Sequence, residues 1–196
     1  MLIDEVLGRW DFREVHTLVV PAPPQTVWEA AQALEAGDVP VARILMAVRT
    51  LPGLARRRGG PRPAPRPRSA PRTLREAMAG TFVPLAELPG RETVSGAAGQ
   101  WWKPAAPFVR LAGPEEFHSF RTPGHLRAAV NLRVTPHPRG ALLHTETRVV
   151  AVDPRTRRVF APYWYLLARP FGGLIRRAAL RAVARRALAA EPAPGA

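Results

Sequence analysis

HLRAAVNLRVTP (125–136) and ALLHTETRVVAV (141–152), separated by His137-Pro138-Arg139-Gly140, decide the fold. Each run alternates in polarity and the connector is rich in turn residues, so the pair reads as an antiparallel hairpin. That register sets Val134 beside Leu143, Leu132 beside Thr145 and Val130 beside Thr147. The other face pairs Asn131 with Glu146 and Arg133 with His144, which puts Arg133 diagonal to Glu146. One face is apolar with Thr hydroxyls and the other polar and charged, the pattern of a half-buried sheet lying over something apolar.

The C-terminal segment supplies the cover. Asp153-Pro154 is a helix cap followed by Pro at the first helical position. The helix is expected to run through TRRVFAPYWYLLARP, to be interrupted around Pro162 and Pro170-Phe171-Gly172-Gly173, and to resume over 174–190. Phe171, Ile175, Ala178/Ala179 and Ala182/Val183 make an apolar stripe. Arg177, Arg181 and Arg185 make a second stripe, with no acid along the helix to pair it.

Upstream, DFREVHTLVV (11–20) reads as a first strand, and Pro23-Pro24-Gln25-Thr26 opens a helix of about three turns ending at Gly37-Asp38. A second helix is expected from Val39 to about Leu51, and Thr73 caps a short one, LREAMA. Strand-like pieces follow at 81–88, 91–102 and 107–112, then one helical turn near Gly113–Phe117. The fold class is therefore α+β: a curved antiparallel sheet of about six or seven strands gripping a long C-terminal helix, with two short helices after the first strand.

The chain has 196 residues, no Cys, 46% hydrophobic residues and a formal net charge of +14. This composition excludes a disulfide-stapled miniprotein, a collagen and a fully disordered chain. Lys103 is the single Lys against 28 Arg, so Arg abundance alone argues little. The charge is also localised: residues 52–72 carry +7, residues 154–196 carry +8, and the remaining body is −1. Residues 52–72 hold six Pro and no aromatic residue, which reads as a disordered insert within one domain. The domain is otherwise built from 1–51 (first strand and helix pair) and 73–190, with 191–196 as a flexible tail. No apolar run reaches signal-peptide or membrane-spanning length, so a cytoplasmic protein is expected.

The run Val19-Val20-Pro21-Ala22-Pro23-Pro24-Gln25-Thr26-Val27-Trp28 resembles the first strand and helix entry of the START-like (SRPBCC) helix-grip superfamily. Leu143-His144-Thr145-Glu146-Thr147-Arg148-Val149, with the long helix behind it, resembles that superfamily's last strand and gripped helix. The superfamily groups polyketide cyclases, lipid-transfer domains and pollen-allergen-like proteins. The resemblance covers nearly the whole chain except 52–72, and it implies an apolar cavity between sheet and helix. It carries over no catalytic residue, because the superfamily has no universal catalytic set. A Pro/Gly break at 170–173 departs from the pattern and would kink the roof or open an entrance there.

Chemistry-bearing motifs are few. Gly96-Ala97-Ala98-Gly99 lies in a strand and lacks the Lys-Ser/Thr of a phosphate loop. The five His show no zinc-site spacing, and Ser69, Ser95 and Ser119 lie in no nucleophile elbow. No catalytic residue, cofactor or metal is therefore assigned. Arg133, Glu146 and Arg148 are the candidate acid/base or anion-binding set, although the alternation puts them on the solvated face. The candidate cavity lining is Trp102, Val130, Leu132, Thr145, Thr147, Phe171 and Ile175, with Thr hydroxyls orienting a mostly apolar ligand.

The leading expectation is a non-enzymatic protein that binds or carries a small hydrophobic molecule: a lipid, polyketide or aromatic. The first alternative is a cyclase/dehydratase-type enzyme using an inward Glu146 with a raised pKa, or a His, as base. The second is a basic surface-association module in which the 52–72 insert and the Arg177, Arg181 and Arg185 stripe meet anionic lipid or nucleic acid. The insert's Arg residues have no interleaved aromatics, which argues against sequence-specific single-strand recognition and ranks nucleic acid below anionic lipid as a partner. Nothing in the sequence selects an oligomeric state.

Overall fold

The structure, a computed structural model, describes residues 1–40, 73, 76, 81–103 and 108–190. The expected helix over 39–51, the LREAMA helix, the 52–72 insert and the 191–196 tail fall wholly or largely outside these residues. At the entry to LREAMA, Thr73 Oγ1 accepts from Glu76 N at 3.2 Å, and Thr73 N donates to the Glu76 carboxylate at 3.4 Å. Those are the two reciprocal bonds of a capping box.

The elements run α1 (Leu2–Val6), β1 (Phe12–Val20), α2 (Pro24–Gln32), β2 (Val83–Leu88), β3 (Glu92–Gly99) and β4 (Phe108–Val109). They continue with α3 (Pro114–Ser119), β5 (Leu126–His137), β6 (Gly140–Ala151), α4 (Pro154–Tyr163) and α5 (Arg169–Ala190). The strands form one antiparallel sheet ordered β1-β6-β5-β3-β2, and β4 pairs with the far end of β3. The hairpin register is the one its alternation dictates, Val134 opposite Leu143, Leu132 opposite Thr145 and Val130 opposite Thr147. Gly140 supplies a φ of +118° at the turn, and a Cβ there would collide with the Pro21 and Ala22 backbone.

Asp153 caps α4, accepting from Thr156 N at 2.8 Å, from Thr156 Oγ1 at 2.6 Å and from Gly124 N at 2.7 Å. These bonds, led by the Thr156 hydroxyl, lower its carboxyl pKa to about 2. The C-terminal helix is continuous rather than broken. Pro162 sits inside α4, and Trp164–Ala168 form a π-helical turn that leads directly into α5. A proline ring clashes with the carbonyl four residues back; the wider turn just before Pro170 relieves that clash without ending the helix.

The core has three parts. On the concave side, β1, β5 and β6 meet α2 and α5 through Val20, Trp28, Val134, Leu143, Leu180 and Val183. At the other end of that same face, Phe12, Leu126, Val149, Phe160 and Trp164 form a separate cluster, with Phe12 and Phe160 edge to face at 5.1 Å. On the convex side, Ile3, Val6 and Leu7 of the α1 region pack with Val94, Phe117 and Ala129. Ile3, Val6 and Leu7, none of them in a strand or in the C-terminal helix, cover the back of the sheet.

Candidate functional site

Each face of the sheet buries a polar constellation. On the concave face, the alternating positions of β1 are Phe12, Glu14, His16, Leu18 and Val20, so two ionisable residues sit between apolar ends. Glu14 is buried; its Oε1 lies 2.8 Å from His16 Nε2, and Arg176 Nη1 of α5 donates to its Oε2 at 3.1 Å. Burial lowers the pKa of the Arg176 guanidinium, against the opposing pull of Glu14. Across the ladder, Glu14 stands opposite Thr147 and His16 opposite Thr145. Thr145 Oγ1 donates to the Asn131 carbonyl at 2.7 Å, whereas the buried Thr147 Oγ1 has no partner among the described residues.

Gly172 and Gly173 explain how the helix comes so close. A Cβ on Gly173 would fall 2.5 Å from Glu14 Oε1, and one on Gly172 would fall 2.7 Å from Arg176 Nη1. The pair expected to break the helix is instead a bare stretch of helix that admits the carboxylate and imidazole below it. Helical glycines cost about 1 kcal/mol each relative to Ala, so the close approach is maintained against propensity. A cleft of about 400 Å³ reaches Glu14 and His16 from solvent at the free edge of β1, walled by Tyr165, Arg169, Pro170 and Arg177.

Between its two apolar clusters the concave face carries residues of intermediate burial, with Leu132 packed against the α2/α5 cluster. Thr93, Ser95, Val130 and Leu132 are only half-buried there, although the ladder places all four on the same face as Thr145 and Thr147. Ile175 packs at the margin of the α2/α5 cluster. Trp102 packs on Phe160 with ring centroids 5.5 Å apart, at the far cluster, and its indole N–H has no partner among the described residues. Phe171 departs from the expected lining. It is exposed, because the Gly172-Gly173 face of the helix is the one turned to the sheet.

The convex face holds Arg133, Glu146 and Arg148, but Glu146 and Arg148 are buried rather than solvated. Arg13 Nε and Arg148 Nε both donate to Glu146 Oε1 at 2.6 Å. Arg148 continues to Asp4 Oδ1 at 2.6 Å and to the Leu7 carbonyl at 2.9 Å. Asn131 joins the Glu92 carboxylate to the β6 backbone, donating to Glu92 Oε1 at 2.8 Å and accepting from Glu146 N at 2.7 Å. Arg133 stands 3.8 Å from Glu92. Burial pushes the Glu146 carboxyl upward, but the Arg13 and Arg148 hydrogen bonds outweigh it and hold the pKa below its ordinary value. A cyclase-type base needs the opposite, an inward carboxyl with a raised pKa. Glu146 faces α1, away from the gripped helix.

The sequence singled out neither Glu14, His16 nor Arg176. The available signal was the interruption of an apolar alternation: on β1, Glu14 and His16 share a face with Phe12, Leu18 and Val20.

No known family's profile matches the chain, and no curated protein does. Solved structures overlap it loosely. Protein MLL2253 from Mesorhizobium loti is 15% identical, with 89% of this chain and 98% of that one covered and a TM-score of 0.37. CV1439 from Chromobacterium violaceum is 12% identical over 88% and 94%, with a TM-score of 0.39. CalU16 from Micromonospora echinospora is 17% identical over 90% and 82%, with a TM-score of 0.26. The chain's own strand order and helix placement make it a curved antiparallel sheet gripping a long C-terminal helix.

Proposed function

We propose that this chain is a START-like protein that binds or carries a small hydrophobic molecule (a lipid, polyketide or aromatic) between the sheet and the C-terminal helix. The observation that carries this reading is the divided concave core. Between the two apolar clusters Val130 and Leu132 are half-buried and Thr147 Oγ1 has no partner among the described residues, which supports a ligand seat there. A mostly apolar wall with a few convergent polar groups is what orients a small ligand. The apolar body rests on Val130, Leu132 and Ile175, and an oxygen of the ligand meets Thr147. The Glu14–His16–Arg176 cluster recognises a polar end.

A second reading follows from the Glu14–His16 pair. A cyclase- or dehydratase-type reaction would take His16 as its acid/base, oriented by Glu14, since His16 is reached from the cleft and Glu146 is not. Under this reading His16→Gln abolishes turnover while leaving ligand affinity nearly intact. Under the carrier reading there is no turnover to lose.

The experiment is native mass spectrometry on protein purified from its own host, followed by denaturing extraction. A stoichiometric small molecule that is displaced from Thr147→Val and Leu132→Trp variants supports the site. A bound molecule indifferent to both substitutions, or an interior that accepts Leu132→Trp only with loss of folding, counts against it.

A further inference from the structure

We infer that the outer face of the C-terminal helix docks on an anionic lipid bilayer. Along α4, the π turn and the start of α5, the outward positions are Val159, Tyr165, Leu166, Leu167, Phe171 and Leu174, all exposed, with Leu166 at 73% and Tyr165 at 58%. Beyond Leu174, helical spacing continues the same face with Arg177, Arg181 and Arg185, which are also exposed. Six large apolar side chains exposed within roughly 20 Å of one helix exceed what scattered surface hydrophobics explain.

Charge selects the occupant. Residues 154–190 contain nine Arg and no acid. Arg157, Arg176 and Arg186 are matched by Asp11, Glu14 and Asp38. Arg169, Arg177, Arg181 and Arg185 have no ion-pair partner among the described residues. A second copy would bring the same positive face. Residues 41–72 of this chain, with nine Arg and no acid, would bring more of the same charge. An anionic surface is the complement. The face is helical, suited to a fluid plane, and Tyr165, whose ring also meets Phe12 edge-on, stands at its margin as an interfacial anchor does. No described helix is long and apolar enough to cross a membrane, so the mode is lying on the surface. The inference stands on these exposures and charges and not on the ligand reading, although Tyr165, Pro170 and Arg177 also wall the cleft.

The test is flotation of the full chain with phosphatidylcholine vesicles, with and without phosphatidylglycerol. The protein is expected to float only with the anionic vesicles and to be released by salt. Arg177→Gln/Arg181→Gln/Arg185→Gln is expected to lower partitioning about 100-fold, at about fivefold per Arg. Leu166→Ser/Phe171→Ser is expected to abolish binding at unchanged melting temperature, since both side chains are exposed. Absence of wild-type binding overturns the proposal, as does binding that survives both variants. So does loss of binding only on removal of residues 52–72, which would make the insert the docking element. A dimer that the Leu166→Ser/Phe171→Ser change dissociates would assign the face to a second copy and overturn it equally.

Discussion

Arg148 Nη1 donates to the carbonyl oxygen of Leu7 at 2.9 Å, across 141 positions of sequence. The same guanidinium reaches Ile3 O and Asp4 Oδ1, so one buried side chain of β6 holds the carbonyl of the C-cap residue together with a carbonyl and a carboxylate from the first turn of α1. A cation at the carbonyl end of a helix is favourably placed, and α1 is too short to persist without such support.

Arg148→Ala leaves the buried Glu146 carboxylate with Arg13 as its hydrogen-bond partner and His144 at 4.0 Å, and releases the α1 end. We expect a loss of about 3–5 kcal/mol in urea unfolding. Arg13→Ala should cost less, because Arg13 is partly exposed. Equal losses from the two substitutions would refute the assignment of Arg148 as the central group.

The pH dependence has a defined sign. Glu146 and Asp4 both have lowered pKa values, Glu146 despite its burial and Asp4 chiefly through its bond to Arg148. Their stabilisation is complete above the unfolded values of 4.5 and 3.8 and is lost as pH falls through the lowered folded values. Burial also lowers the His144 pKa, so its share is complete above 6.5 and declines as pH falls through the folded value. Melting temperature should therefore fall in two stages on acidification. Glu146→Gln should flatten the lower stage and His144→Gln the upper.

Thr147→Val removes a buried hydroxyl that has no partner among the described residues. Stability of the ligand-free protein should rise by about 1 kcal/mol, since an unpaired buried polar group is costly. Ligand affinity should fall. A variant that loses stability instead would show that the hydroxyl is already satisfied.

Gly173→Ala should lower the melting temperature even though Ala is the better helix former, because its Cβ would press on Glu14 Oε1. Adding Glu14→Ala should restore part of the loss. Simple additivity of the two changes would place the carboxylate elsewhere.

The elements legible in the sequence were those whose evidence is local. The β5–β6 register followed from alternation, the α4 cap from Asp153-Pro154, and the sheet-and-helix class from element order. The continuity of the C-terminal helix was not legible. Pro162, Pro170 and Gly172-Gly173 signal interruption, and only the proximity of Glu14 and His16 shows that the glycines are spacers. The burial of Glu146 and Arg148 was hidden for a related reason. Alternation tells which residues share a face but not that Ile3, Val6 and Leu7 would return from the start of the chain to cover it. Glu14 and Arg176, 162 residues apart, meet only in three dimensions.

The pairing of Phe12–Val20 with Ala141–Val149 has a consequence for the order of events during synthesis. The first strand emerges from the ribosome with no neighbour in its half of the sheet, and it must wait for nearly all the intervening chain before its partner exists. Contacts of such long sequence separation make folding slow. The β5–β6 hairpin can form early because it is local, but β1, α1 and the helix over Glu14 close together afterwards. A nascent chain arrested before Gly140 therefore exposes Phe12–Val20 as an unpaired template, the form in which this protein is most open to aggregation or to capture by a chaperone.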